Sequence, residues 1–341
     1  MLEKLLNFFK RDRPLSAQRS PLTFEKLARE YDIFYICYDE PNRKRNWQQI
    51  QAVLPKARKV EGVTGFDRAL KTCARQSQTA HFFVIDGDNQ MIVSRFKNPV
   101  WIAEPQDTWV LSWSAFNPLN GLRYGNGGVK LWPRDVALQM RTHENASSGD
   151  DPTDYCFVVD YYLIDDFISE TQVTSTPQQA FRAGLREGVK MSLDWGRQAD
   201  LSRETFQKLG PQNRLRLQTW CNVGADQPNG YWAILGARLG LKLNAIDKFD
   251  YRQINSLDWI DQLFQQEVVD RFYTPGLSSE EGFVVTHEVI AHIDQLGELL
   301  QGHLGLELRL MSPDESRQFK RSFQNPKREG LLRDKKPTQD Q

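Results

Sequence analysis

The sequence predicts an α/β fold, in which a mostly parallel sheet with flanking helices precedes a mainly helical C-terminal region. Residues 32–38 and 80–85 are nearly unbroken runs of apolar, β-forming side chains, as in strands buried on both faces of a parallel sheet. Helical patterns over residues 46–54 and 65–76 alternate with these strands, which favours βαβ units. From Pro177 onward, the apolar spacing is mostly helical.

These patterns divide the chain into four parts. Residues 1–28 are predicted to form an N-terminal helix and a linker, and residues 29–175 the sheet domain. Residues 176–312 form the helical region, and residues 313–341 a basic, partly disordered tail in which residues 317–341 hold an excess of Lys and Arg.

Composition excludes several classes of protein. Lys+Arg and Asp+Glu total 44 each, so no overall field attracts nucleic acid, and any anion binding must come from local patches. The four cysteines show no paired metal-ligand spacing, which favours a reducing compartment. No apolar run reaches the ~18 residues that a transmembrane helix needs. We therefore expect a cytoplasmic protein.

The strand at residues 80–85 ends in Asp86-Gly87-Asp88. Open α/β sheets bind ligands at the carboxyl ends of their strands, and carboxylate oxygens suit a hard cation such as Mg²⁺ or Mn²⁺. The alternative is an Asp-Gly turn with two solvated acids.

The segment 117–134 is rich in Gly, Asn and Pro, and we expect it to form a ligand-lining loop. Gly125, Gly127 and Gly128 give backbone freedom, and Lys130 adds a cation beside them. The segment lacks the spacing of a P-loop.

Two further acids, Asp160 and Asp226, are candidate site residues. Asp160 interrupts the apolar strand predicted over residues 155–163, so it is either a buried group with a partner or a site residue. Asp226 lies in the loop part of residues 220–241, which join a loop to a helix.

A helix predicted over residues 178–195 has a basic stripe. Arg182, Arg186 and Lys190 follow each other at intervals of four residues and repel one another unless something neutralises them. Two interpretations remain open: a solvated face helped by Glu187, or a contact with phosphate or nucleic acid.

Five blocks of sequence resemble a family of glycosyltransferases encoded by tailed bacteriophages, which have a GT-A type nucleotide-sugar fold. The resemblance covers roughly residues 32–245, and its blocks are residues 32–42, 81–89, 117–134, 180–192 and 220–238.

The resemblance implies roles for the residues after two strands. Tyr38, Asp39 and Glu40 would hold the nucleotide base. Asp86 and Asp88 would bind the ribose and a Mn²⁺ or Mg²⁺ ion, with Asp88 the more direct metal ligand. The expected co-substrate is a nucleotide-sugar, most simply a UDP-sugar.

The resemblance also implies a departing diphosphate, which Lys130, Arg182 and Arg186 could help to neutralise. An inverting enzyme needs a general base near the acceptor hydroxyl, whereas a retaining enzyme does not. The candidate bases are Asp226, Asp160 and Glu187.

In a phage, the acceptor implied by the resemblance is a 5-hydroxymethylated pyrimidine of DNA, in the cytoplasm of the infected bacterial host. The basic stripe and the basic tail would contact its phosphates. The alternatives are a protein or glycan acceptor, or a non-catalytic interaction module that keeps the GT-A shell. The sequence leaves the oligomeric state open.

Overall fold

A mixed β-sheet dominates the first half of the chain, and helices make up most of the second half. The computed structural model describes residues 20–102, 107–140, 159–194, 196–276, 282–323 and 330–331. The helix predicted near the N-terminus lies outside these residues.

The secondary structure follows the predicted alternation of strands and helices through residue 86. The strands are β1 (Ser20–Leu22), β2 (Asp32–Cys37), β3 (Arg58–Glu61), β4 (His81–Asp86), β5 (Asn89–Met91), β6 (Val100–Ile102), β7 (Trp109–Phe116), β8 (Arg123–Pro133), β9 (Asp160–Thr171) and β10 (Gly330–Leu331). The helices are α1 (Phe24–Glu30), α2 (Arg43–Val53), α3 (Phe66–Gln76), α4 (Arg134–Gln139), α5 (Pro177–Met191), α6 (Pro211–Asn222), α7 (Gly230–Ala245), α8 (Leu257–Phe264), α9 (Asp270–Phe272), α10 (His287–Leu304) and α11 (Pro313–Ser322).

The main sheet has the strand order β10-β9-β7-β8-β4-β2-β3, and β5 also pairs with β9. β1 and β6 form a separate two-stranded sheet. β4 is an interior strand between β8 and β2, and its Phe82, Phe83, Val84 and Ile85 are fully buried. This burial explains why β4 is an unbroken apolar run.

The prediction of a mostly parallel sheet was wrong, because the sheet is mixed. β2 pairs in parallel with β3 and β4, and β7 with β9, but β8 lies antiparallel between β4 and β7. β8 comes from the glycine-rich segment that was expected to be a loop. Its Val129, Leu131 and Trp132 are fully buried, and this apolar burial offsets the backbone entropy cost of its glycines.

The antiparallel course of β8 determines which residues adjoin the end of β4. Val84 pairs with Lys130, and Ile85 pairs with Val129. The glycine-rich half of β8 therefore approaches Asp86 at the carboxyl end of β4.

The helical region packs around α5 and α7. Thr176 caps α5, since its side chain accepts a hydrogen bond from the backbone N–H of Gln179, and Pro177 occupies the first turn. Phe181, Leu185 and Val189 of α5 are buried and form the apolar stripe of this helix.

The described part of residues 313–341, for which the sequence predicts a basic, partly disordered tail, begins with a helix. Ser312 and Glu315 form a capping box at the start of α11, and this helix extends to Ser322. Further on, β10 pairs with β9 through Gly330 and Leu331. The other residues after Phe323 lie outside the described part of the chain.

Three of the four cysteines lie among the described residues. Cys37, Cys73 and Cys221 are buried free thiols. Within the described ranges, no helix combines the length and the apolar character needed to cross a membrane.

Candidate functional site

The acidic triplet forms a turn at the carboxyl end of β4, next to the carboxyl end of the parallel strand β2. A side chain at Gly87 would place its Cβ 2.7 Å from Glu40 Cδ and 2.9 Å from Cys37 Cβ, so only glycine fits between these strands. The carbonyl of Gly87 accepts hydrogen bonds from Tyr35 Oη at 2.8 Å and Asn46 Nδ2 at 3.1 Å. The turn is thus fixed from β2 and from α2.

Asp86 is held from the side of β8. Its Oδ2 accepts from Lys130 Nζ at 3.0 Å and from the backbone N–H of Gly128 at 3.1 Å. Lys130 is only 1% exposed, whereas the Asp86 side chain is 28% exposed. Lys130 therefore neutralises Asp86 from inside the protein. The sequence predicts that Lys130 lines a ligand site, but its side chain does not extend into solvent.

Asp88 is held from the opposite side, by β5. Its Oδ1 accepts from Asn89 Nδ2 at 2.7 Å. Asn89 occupies the space beside Gly128, where a Cβ would come within 2.3 Å of Asn89 Oδ1, and Gly128 has a φ of +100°. Gly128 is therefore required for close approach and for its backbone conformation.

Each of the two carboxylates keeps one oxygen for a ligand. In the part of the chain that the structure describes, Asp86 Oδ1 and Asp88 Oδ2 receive no hydrogen bond. Hydrogen bonds to the other oxygen of each carboxylate hold the side chain in place. The orientation of Asp86 Oδ1 and Asp88 Oδ2 is therefore set before a ligand binds.

Glu40 brings a third carboxylate to the turn. Its Oε2 accepts from the backbone N–H of Tyr38 at 2.8 Å. Burial raises the pKa of Glu40, and the charges of Asp39 and Asp86 raise it further. Burial, followed by the charges of Asp86 and Glu40, raises the pKa of Asp88 to about 7. Lys130 offsets only part of this negative charge.

The donor set fits a divalent cation in part. In the described ranges, no group of three or more His, Cys, Asp or Glu side chains could by itself hold a metal ion. Asp86 and Asp88 offer two oxygens, and the raised pKa of Asp88 means that added positive charge would be favourable there. Such a pair suits Mg²⁺ or Mn²⁺ only when a bound ligand and water complete the coordination.

The helical region reaches this site through Arg182. Its guanidinium lies 2.9 Å from Asp39 Oδ2, joining α5 to the segment after β2. Tyr38 is 42% exposed beside this ion pair. Arg186 and Lys190 lie one and two turns further along α5. Both are half-buried, so the basic stripe is not a fully solvated face.

Asp226 is not available as a base in this structure. It lies between α6 and α7, its side chain is 3% exposed, and its Oδ2 is 2.6 Å from Lys320 Nζ. This ion pair and the burial keep the carboxylate away from an acceptor in solvent.

Asp160 lies at the wrong edge of the sheet. It begins β9 and pairs with Trp109, the first residue of β7. β7 and β4 run in the same direction because each is antiparallel to β8, and Asp86 is the last residue of β4. Asp160 and Asp86 therefore lie at opposite ends of their strands. Glu187 is half-buried on α5, the helix that also contains Arg182.

Gln172 and the residues that it contacts hold the acidic turn from its far side, and the sequence patterns did not single them out. Gln172, just after β9, donates its backbone N–H to the carbonyl of Asp88 at 2.7 Å. Its Oε1 accepts from Asn42 Nδ2 at 2.7 Å and Arg45 NH2 at 2.5 Å. A sequence signal was present for Arg45, because it belongs to the three consecutive basic residues that begin α2.

A cavity of about 390 Å³ lies elsewhere, and it contains none of the predicted site residues. It is lined by Phe206, Gln207, Pro211, Arg214, Leu215, Gln218, Gly305, Leu306 and Glu307.

A scan against protein-family models and a search of curated proteins both gave no match for this chain.

Proposed function

We propose that this protein is a metal-dependent glycosyltransferase that moves a sugar from a nucleotide-sugar to an acceptor hydroxyl. One observation carries the proposal: Asp86 and Asp88 meet at the carboxyl end of an interior strand, and each keeps one oriented, unbonded oxygen. The resemblance of five sequence blocks to phage glycosyltransferases, with a GT-A type fold, supports the same reaction class.

In this proposal, the residues of the turn bind and orient the donor. Asp86 and Asp88 hold a Mn²⁺ or Mg²⁺ ion, which neutralises charge on the departing diphosphate. Lys130 and Gly128 keep Asp86 in position, and Asn89 does the same for Asp88. Because these carboxylates are prearranged, little reorganisation accompanies donor binding.

The segment after β2 forms the other side of the donor site. Tyr38 presents an exposed ring that suits stacking on a nucleotide base. Asp39 and Glu40 offer carboxylate oxygens to base or ribose groups, and Arg182 fixes Asp39 by its ion pair. A UDP-sugar is the donor that we propose to test first.

Among the three candidate bases, Glu187 is the one to test for an inverting reaction. Asp226 is paired with Lys320, and Asp160 lies at the opposite edge of the sheet from Asp86. Glu187 shares α5 with Arg182, which contacts the donor side. A retaining reaction would need none of the three.

The proposed acceptor is a 5-hydroxymethylated pyrimidine of phage DNA. The choice of a DNA acceptor rests on the family resemblance and on the basic side chains of α5. A DNA acceptor predicts transfer that weakens steeply as salt rises, because phosphate contacts release counterions.

Calorimetry tests the donor site directly. Titration of Mn²⁺ with UDP or GDP into the Asp88→Asn variant should lose most of the binding signal, and Asp86→Asn should lose less because Lys130 already pairs with Asp86. Asp107→Asn is the matched control, since Asp107 is an exposed carboxylate before the start of β7. Wild-type affinity in both site variants would refute the assignment.

A transfer assay then separates the acceptors. Labelled UDP- and GDP-sugars with Mn²⁺ are offered to hydroxymethylcytosine DNA, to a glycan and to a protein acceptor, and donor hydrolysis is measured without acceptor. Nucleotide binding without hydrolysis or transfer to any acceptor would favour a non-catalytic module.

A further inference from the structure

The first turn of α2 has an unusual charge pattern. Arg43, Lys44 and Arg45 occupy it, no acid is present, and Asn42 at its N-cap makes no side-chain capping bond. The N-terminal end of a helix is the positive end of its dipole, so cations there are unfavourable unless another interaction compensates. This turn lies directly after β2, beside the acidic turn.

The environments of Arg43 and Arg45 differ. Arg43 lies 3.5 Å from Glu61 Oε1 and donates to the carbonyl of Glu40 at 3.0 Å. Arg45 instead donates to Gln172 Oε1, a neutral acceptor, at 2.5 Å. Arg45 is exposed, and among the described residues no carboxylate lies within ion-pair distance of it, so its guanidinium can meet an anion from solution.

Gln172 connects this guanidinium to the backbone of the acidic turn. The same Oε1 that accepts from Arg45 also accepts from Asn42 Nδ2, and the backbone N–H of Gln172 donates to the carbonyl of Asp88. One residue therefore links the cation, the start of α2 and the acidic turn.

A second observation at this point indicates a missing partner. Asn42 is 7% exposed, and its Oδ1 is buried without a hydrogen-bond partner among the residues that the structure describes. Buried acceptors are normally satisfied, so a donor from a ligand is expected here. A ribose hydroxyl or a metal-bound water would supply it.

We propose that Arg45, positioned by Gln172, binds the diphosphate of a nucleoside diphosphate ligand at the acidic turn. Arg45 offers a cation to an anionic ligand, whereas Asp86 and Asp88 offer oxygens to a cation, and a metal-chelated diphosphate matches both. The nucleotide identity rests on the proposed function, but the diphosphate contact follows from the charges and distances around Arg45.

Calorimetry of full-length protein tests the contact with three probes, each with Mn²⁺: UDP, inorganic pyrophosphate and uridine, which has no phosphate. Arg45→Gln should weaken UDP and pyrophosphate at least tenfold and leave uridine unchanged. Arg29→Gln is the control, since Arg29 is an exposed arginine paired with Glu25. Arg45→Lys should fall between, because an ammonium cannot bind two phosphate oxygens as a planar guanidinium does.

Gln172→Glu gives an independent check, because it would pair Arg45 with a carboxylate. We expect it to weaken pyrophosphate binding as Arg45→Gln does. Unchanged affinity of Arg45→Gln for both UDP and pyrophosphate would overturn the inference. Arg45-dependent diphosphate binding without any sugar transfer would support the inference while defeating the proposed function. Wild-type protein that binds neither UDP nor pyrophosphate would overturn both.

Discussion

Lys320 Nζ lies 2.6 Å from Asp226 Oδ2 and fastens α11 to the loop between α6 and α7. It also donates to the carbonyl of Pro118 at 3.0 Å, in the turn that joins β7 to β8. The side chains of Lys320 and Asp226 are 14% and 3% exposed. A residue of the predicted tail is therefore a buried contact between the sheet and the helical region.

We expect Lys320→Met to destabilise the fold. It leaves the Asp226 carboxylate buried without its counter-ion, a change that costs about 3 kcal/mol or more in the free energy of unfolding. Urea denaturation measures the loss. Arg321→Met, at an exposed position on the same helix, should change stability by less than about 0.5 kcal/mol. Equal stability of the two variants would contradict the prediction, and adding Asp226→Asn to Lys320→Met should recover part of the loss.

Glycines bring α5 and α7 into backbone contact, and this contact should not tolerate a methyl group. A Cβ at Gly236 would lie 2.2 Å from the carbonyl oxygen of Phe181, and one at Gly184 would lie 1.9 Å from that of Ala233. Gly236→Ala should therefore lower the free energy of unfolding by roughly 2 kcal/mol or more, because the helices must separate. Thermal melting gives the first measurement.

Gly302 in α10 provides the opposite case. Apart from its chain neighbours and the nearby backbone of its own helix, no atom of the described residues lies within 4 Å of a Cβ built there. Gly302→Ala should raise stability by roughly 0.5–1 kcal/mol, because alanine favours the helix. If both alanine variants shift the melting temperature in the same direction, the packing explanation for Gly236 fails.

Arg238 is a fully buried arginine whose role is structural. Its Nε donates to the carbonyl of Cys221 at 2.8 Å, and its NH1 to the carbonyl of Ile293 at 2.7 Å. Arg238→Met removes donors from both buried carbonyls and should cost about 2–4 kcal/mol in unfolding free energy. Arg238→Lys should not restore the loss, because an ammonium lacks the forked donor geometry. Arg252→Met, at an exposed Arg–Asp pair, should stay near wild-type stability.

The sequence contained the information for the strands and helices from β2 to β4. Unbroken apolar runs gave β2 and β4, because strands buried on both faces cannot carry alternating polar residues. β8 could not be recognised, since its Gly128 is needed for close approach to Asn89 and Ser169, which are distant in sequence. Local composition predicted a loop there, and tertiary pairing produced a strand.

Part of the candidate site was also predictable. Asp86 and Asp88 stood out because acids directly follow a buried strand, and Arg182 does adjoin Asp39. The sequence could not show that Lys130 lies inside the protein or that Lys320 pairs with Asp226, because both contacts join residues far apart in the chain. Gln172 carries no local signal at all, because its importance depends on the simultaneous approach of β9 and α2.

The raised pKa of Asp88 has a consequence for stability. It is about 7 in the folded protein, owing to burial and then to Asp86 and Glu40, whereas an aspartate in an unfolded chain titrates near about 4. Between these two pH values the folded state binds more protons than the unfolded state. The contribution of Asp88 to stability is therefore fully present below pH ~4 and is lost as the pH rises to ~7.

Asp88→Asn removes this pH dependence, because asparagine does not ionise. In buffer with a chelator, we expect the variant to match wild type at pH 4 and to exceed its unfolding free energy by up to about 4 kcal/mol at pH 8, since each unit of pKa difference corresponds to about 1.4 kcal/mol. Asp107→Asn should follow the wild-type pH profile. Adding Mn²⁺ with UDP at pH 8 should reverse the order, since a ligand that binds only the folded wild type raises its stability. A metal-free Asp88→Asn variant that is less stable than wild type at pH 8 would show that Asp88 contributes to folding rather than opposing it.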